Sequence, residues 1–154
     1  MTDRNAAPIT PRFADHAALR VVGRARRYTF AETARVPELW REVVPEMFDR
    51  MRGVETFGVS YDIDADGFSY LVGVADAGRF DTDGYDHVTL PAGRHAVFDH
   101  PGDVSTIPRT WEAAFAGGGG AYTVGDGPKF ERYVPDYDPS RSGGVSIWLP
   151  LADG

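Results

Sequence analysis

A strand, helix, strand, strand pattern runs twice along this chain, and that repetition limits the available folds more than any single motif does. In the first pass, Ala18 to Tyr28 reads as a strand, because Leu19, Val21 and Gly23 alternate with Arg20, Val22 and Arg24. Val36, Leu39, Trp40, Val43, Val44, Met47, Phe48 and Met51 then recur at the spacing of an amphipathic helix. Pro37 suits its first turn, whereas Pro45 deletes a backbone hydrogen bond and predicts a kink or a split. Thr56 to Asp62 and Phe68 to Val74 read as two strands joined by a hairpin turn at Asp64-Ala65-Asp66-Gly67.

A looser acidic stretch from Asp76 to Asp86 connects to the second pass. There, His87 to Leu90 and Arg94 to Phe98, around Pro91-Ala92-Gly93, read as one strand interrupted by a turn or bulge. Ile107, Trp111, Ala114 and Phe115 mark a shorter helix, entered through Ser105 or Thr106 with Pro108 in its first turn. Gly117 to Gly120 ends it, since four residues without side chains favour helix least of all. Lys129 to Val134 and Gly144 to Leu151 complete the unit as strands joined by a polar loop. The expected organisation is a flexible leader over 1–16 and one domain over 17–154. Within it, the first repeat covers about 17–76 and the second about 86–152.

Bulk properties narrow the function. At 154 residues, 42% hydrophobic and 25% charged, the chain can bury one real core and is neither disordered nor membrane-like. A net charge of −7, spread along the chain, argues against a phosphate-binding surface and so against direct contact with nucleic acid. With no cysteine there is no disulfide framework and no thiolate chemistry. The polar start, Met1 to Pro11, has no apolar segment of a signal peptide, and the expected location is the cytoplasm.

Ordered along the two units are Val36-Pro37-Glu38-Leu39-Trp40, Phe57-Gly58-Val59-Ser60-Tyr61-Asp62, Phe68-Ser69-Tyr70-Leu71-Val72-Gly73-Val74, Phe130-Glu131-Arg132-Tyr133 and Val145-Ser146-Ile147-Trp148-Leu149-Pro150-Leu151. In this order and spacing they resemble the GyrI-like (gyrase-inhibitor-like) effector-binding family over about residues 17–152. The resemblance implies an α+β fold of two pseudo-symmetric units whose strands form a curved antiparallel sheet, with a helix of each unit packed on it and a pocket at the seam. It implies binding of bulky hydrophobic aromatic compounds, often cationic. Some standalone members resemble hydrolases that open cyclopropane rings in DNA-alkylating natural products. Many relatives carry a Trp-Leu-Pro-like segment after the second helix. Here Ala116 and the glycine run stand in its place, and Trp111 is the candidate to substitute.

Glu131 matches the family's pocket carboxylate. On its strand it shares one face with Tyr133, while Phe130, Arg132 and Val134 share the other, and alternation alone does not say which is buried. A desolvated Glu could neutralise a ligand cation or activate water. Tyr61, Tyr70 and Trp111 are candidate pocket walls, Tyr70 foremost, while Trp40 and Trp148 read as core. His87, His95 and His100 match no metal-ligand spacing and read as surface residues, so neither metal nor cofactor is expected. The glycine run lacks a following Lys-Ser/Thr and is no phosphate cradle, and no serine-nucleophile motif occurs.

Two functions follow, the binding module slightly favoured. In the first, the chain binds aromatic or cationic compounds, with Glu131 as counter-charge and Tyr70, Trp111, Tyr61 and Tyr133 around the ligand. In the second, a hydrolase opens cyclopropane rings, with Glu131 activating water and Tyr70 polarising the substrate. The acidic surface also permits a protein partner such as gyrase without arguing for one.

Overall fold

The two units meet through β3 (Thr56–Tyr61) and β7 (Lys129–Tyr133), which run antiparallel with Gly58 directly opposite Glu131. Outward from this seam, β3 pairs with β4 (Gly67–Ala75), β4 with β2 (Leu19–Thr29), and β2 with β5 (Asp86–Leu90). On the other side β7 pairs with β8 (Val145–Pro150), β8 with β6 (Gly93–Asp99), and β6 with β1 (Arg12–His16). The computed structural model describes residues 11–78, 80–101, 106–116, 122–138, 140–141 and 143–152, and in it these strands form one eight-stranded antiparallel sheet.

The sheet order, β1-β6-β8-β7-β3-β4-β2-β5, is symmetric about the seam. Its outermost strands are exchanged: β1 precedes β2 in the chain but pairs with β6, and β5 precedes β6 but pairs with β2. Each unit thus lends its first strand to the other. This corrects two sequence expectations. Residues 12–16, assigned to the leader, form β1, which escaped notice because an edge strand with exposed Arg12, Phe13 and Asp15 shows no alternation. The single interrupted strand of the second unit is two strands, β5 and β6, with different neighbours.

Both faces of the sheet are covered, which explains why β4 is buried along most of its length. On one face, residues of all eight strands meet in a single cluster running from Ala14 through Val21, Phe57, Leu71, Val88, Val97 and Phe130 to Trp148. Strands at opposite edges can share one cluster only if the sheet curls, and it does so as a half-barrel. The other face carries the helices α1 (Val36–Glu46), α2 (Phe48–Met51) and α3 (Ile107–Phe115).

The predicted helical stripe is real, but it splits at Met47 (φ −106°, ψ 16°), two residues after Pro45. The Met47 N–H still reaches Val43 O at 2.9 Å and its own carbonyl accepts from Met51 N–H at 2.9 Å, so i to i−4 hydrogen bonds flank the break on both sides. Leu39, Val43, Met47 and Met51 pack on Val22, Tyr28, Val72 and Val74. Burying each such side chain stabilises the fold by about 1.5–3 kcal/mol. Ion pairs from β2, Arg24 to Glu46 at 2.6 Å and Arg26 to Glu42 at 2.8 Å, hold the helix from outside, and being exposed they add little to its stability. α3 seats Ala114 on Ala96, Phe98, Ile147 and Leu149. A short 3-10 helix, Phe30–Arg35, leads into α1 and was not anticipated. No described helix is long and apolar enough to cross a membrane.

Candidate functional site

The helix stripe carries more apolar residues than the sheet can cover. Leu39, Val43, Met47 and Met51 form one row, four residues apart, against the sheet. Val36, Trp40, Val44 and Phe48 form a second row at the same spacing, and all four line a cavity of about 740 Å³. Phe48 remains 53% exposed and Val44 38%, because the space they face is open. Its other walls include Val54, Tyr70, Ile107, Pro108, Tyr133 and Tyr137. Such a volume with mostly apolar walls suits a drug-sized ligand.

Glu131 lies at the floor, at the centre of β7 and 7% exposed. Its Oε1 accepts hydrogen bonds from the Tyr70 and Tyr133 hydroxyls, both at 2.8 Å, and its Oε2 accepts from Trp111 Nε1 at 2.7 Å. Tyr70 in turn accepts from Trp40 Nε1 at 3.0 Å. Burial pushes the Glu131 carboxyl above the usual carboxylate range, and the donors Trp111, Tyr70 and Tyr133 pull it part of the way back. Burial, with Glu131 alongside, drives the two phenols well above their ordinary value, so they remain proton donors. A carboxylate stripped of water and held by neutral donors is a buried negative charge awaiting a counter-charge, or a base with two acids beside it.

Gly58 makes this arrangement fit. It is the residue of β3 directly across from Glu131, and a Cβ there would overlap Tyr70 Oη and lie 2.9 Å from Glu131 Oε1. A glycine inside a strand often marks such a close approach. The two tryptophan donors come from matching places: Val36-Pro37-x-x-Trp40 opens α1 and Ile107-Pro108-x-x-Trp111 opens α3. Neither Gly58 nor the doubled Pro-x-x-Trp spacing was singled out from the sequence, although both were visible in it.

Of the candidates, the structure brings Glu131, Tyr70, Tyr133 and Trp111 into one hydrogen-bonded group. Trp111 does so through its indole N–H, while its ring stacks on Phe115 at 5.5 Å instead of walling the cavity. Tyr61 stands apart. On β3 it shares the parity of Phe57 and Val59, which points it to the helix-free face and away from the cavity. Trp40, read as core, does pack against the helix-side core, and it also lines the cavity, meeting Tyr133 edge-on at 4.9 Å. Trp148 is core, stacked on Phe130.

Two of the three histidines read as surface residues are buried. His95 packs among His16, Phe130 and Trp148, and His100 lies within 2.6 Å of Thr110 Oγ1, securing α3 one residue before Trp111. Among the described residues no group of three His, Asp or Glu side chains is placed to hold a metal ion. The glycine run 117–120, Ser105 and Asp103 lie outside the described residues.

The sequence matches a family model described as a GyrI-like small molecule binding domain over residues 9–152, reaching upstream of residue 17 and taking in β1. Among solved structures, SAV2435 bound to tetraphenylphosphonium superposes with a TM-score of 0.75 at 22% identity, over 93% of this chain and 94% of that one. A putative bacterial transcription regulation protein from Staphylococcus aureus MU50 gives 0.72 at 20% identity, over 93% and 98%. An integron cassette protein of Vibrio cholerae gives 0.69 at 15%, over 92% and 95%. These share the fold. Among curated proteins none matches.

Proposed function

This chain belongs to the GyrI-like family of small-molecule-binding domains, and from that premise we propose that it binds bulky aromatic compounds, cationic ones preferentially, in the cavity between α1 and the seam. The observation that carries this reading is the buried Glu131 carboxylate, held by Tyr70, Tyr133 and Trp111 at the floor of an otherwise apolar cavity. Tyr70, Tyr133 and Trp40 supply aromatic edges and faces beside that charge, where a desolvated cation gains most. The capture of tetraphenylphosphonium, a bulky aromatic cation, by SAV2435 supports the same reading. Titration calorimetry with tetraphenylphosphonium and with neutral triphenylphosphine oxide tests it. Glu131→Gln should weaken the cation by about 1–3 kcal/mol and leave the neutral compound nearly unchanged. Equal losses for the two compounds would remove Glu131 as the counter-charge.

A second reading draws on the same oxygen. Glu131 Oε1 touches two phenols, so a base and two acids share one point in a water-poor site. As a hydrolase of cyclopropane-bearing DNA alkylators, the chain would use Glu131 to take a proton from water as its oxygen attacks a ring carbon. The ring bond breaks toward a conjugated carbonyl, whose oxygen Tyr70 protonates. Mass spectrometry would then show gain of one water by the substrate with the parent chain and none with Glu131→Gln. Equal hydration with both proteins would eliminate this role.

A further inference from the structure

The mouth of the cavity carries two arginines that form no ion pair among the described residues. Elsewhere arginines grip carboxylates: Arg12, Arg24, Arg26, Arg27 and Arg132 each hold one at 2.6–2.8 Å. Arg41 and Arg52 both line the cavity and are exposed at its edge, yet neither forms an ion pair among the described residues. In a chain with 23 Asp and Glu against 16 Lys and Arg, carboxylates are not scarce. Arg50 and Arg109, also outside any described ion pair, do not line the cavity.

Arg52 lies over the ring of Phe48, 5.8 Å from its centroid, which keeps its guanidinium at the lip. Arg41 follows Trp40 on α1, on the same wall. Asp136 is the acidic residue at this rim, and its Oδ1 accepts the Gly53 N–H at 2.8 Å. The cavity is therefore polarised, with a fixed negative charge at the floor, apolar walls, and two guanidinium groups against one carboxylate at the mouth.

Resting on the binding function proposed above, we infer that the cavity takes a two-ended ligand. Its aromatic body carries positive charge toward Glu131, and an anionic group, a carboxylate or sulfonate, is held at the mouth by Arg41 and Arg52. A purely cationic compound would satisfy the floor and be repelled at the rim. One with an acidic group at its outer end meets complementary charge at both ends, and planar guanidinium suits a carboxylate in particular.

Rhodamine B and its ethyl ester separate these cases, since they share one xanthylium cation and differ in a free carboxylate. Binding of each dye by fluorescence polarisation at low salt should favour the free acid roughly five- to tenfold. Arg41→Gln combined with Arg52→Gln should erase that preference, and about 0.5 M salt should shrink it. Glu131→Gln should weaken both dyes alike. Ester binding as tight as that of the acid, or a preference that survives loss of both arginines, overturns the two-ended ligand while leaving the binding function standing. If neither dye binds, both readings are overturned.

Discussion

Unit one and unit two are built alike and end differently where they meet. Each opens its helix with an apolar residue, a proline and, three residues later, a tryptophan whose indole donates into the site. Each then presents a strand at the seam, Phe57-Gly58 in one and Phe130-Glu131 in the other, with the glycine facing the carboxylate across the symmetry axis. The scaffold duplicates walls and donors, and a single departure from symmetry sets the charge. Two carboxylates at that axis would repel each other in low dielectric. A side chain at Gly58 would displace Tyr70 from Glu131.

The largest test of this comparison restores a side chain on the bare half. Gly58→Ala should cost about 2–3 kcal/mol in urea unfolding, because the new methyl meets Tyr70 Oη with packed sheet behind it. It should also abolish binding of tetraphenylphosphonium. Next comes the pair of tryptophans. Trp111→Phe removes a donor to a buried carboxylate and should cost about 1.5–3 kcal/mol, whereas Trp40→Phe removes a donor to a phenol and should cost about 0.5–1.5 kcal/mol. Equal losses would mean that the two halves contribute alike and that Glu131 is not charged in the free protein.

The pH dependence sharpens the same contrast. Because burial raises the folded-state value of Glu131, its contribution to stability is full below the usual carboxylate range and is lost as pH climbs through the raised value. The stability difference between the parent and Glu131→Gln should therefore move against the parent on going from pH 4 upward, as read from urea midpoints. A smaller effect of opposite sign comes from the helix-free face. Burial depresses His16 and His95, so their contribution is present above about pH 6.5 and falls as pH drops toward their lowered values. Replacing His95 with Phe should flatten the acid side of the melting-temperature profile.

Long periodic segments were legible from residues alone. The helix stripe, the hairpin at 64–67 and the paired units all followed from spacing, since period reports which side of an element is apolar. It does not report what that side touches. Trp40 packs against the helix-side core and at the same time lines the cavity, and Tyr61 lies one step out of phase with the cavity although its composition matched its role. Glu131 emerged from a resemblance, because a single carboxylate in an aromatic strand has no pattern of its own. β1 failed to emerge because an edge strand with one neighbour and exposed charges has little apolar signature, and its partner lies some eighty residues away.

The exchange of outer strands makes the halves mutually dependent parts of one clasp. Severed in the connector between β4 and β5, neither fragment holds a finished sheet. The first would carry β1 with nothing to pair it and leave β2 bare on its outer side. The second would carry β5 unmatched and β6 open. Two such pieces, produced separately and mixed, should reassemble, each offering the strand the other lacks. The exchange also makes both outer pairings long-range along the chain, β1 with β6 and β2 with β5, and contacts of that kind slow folding.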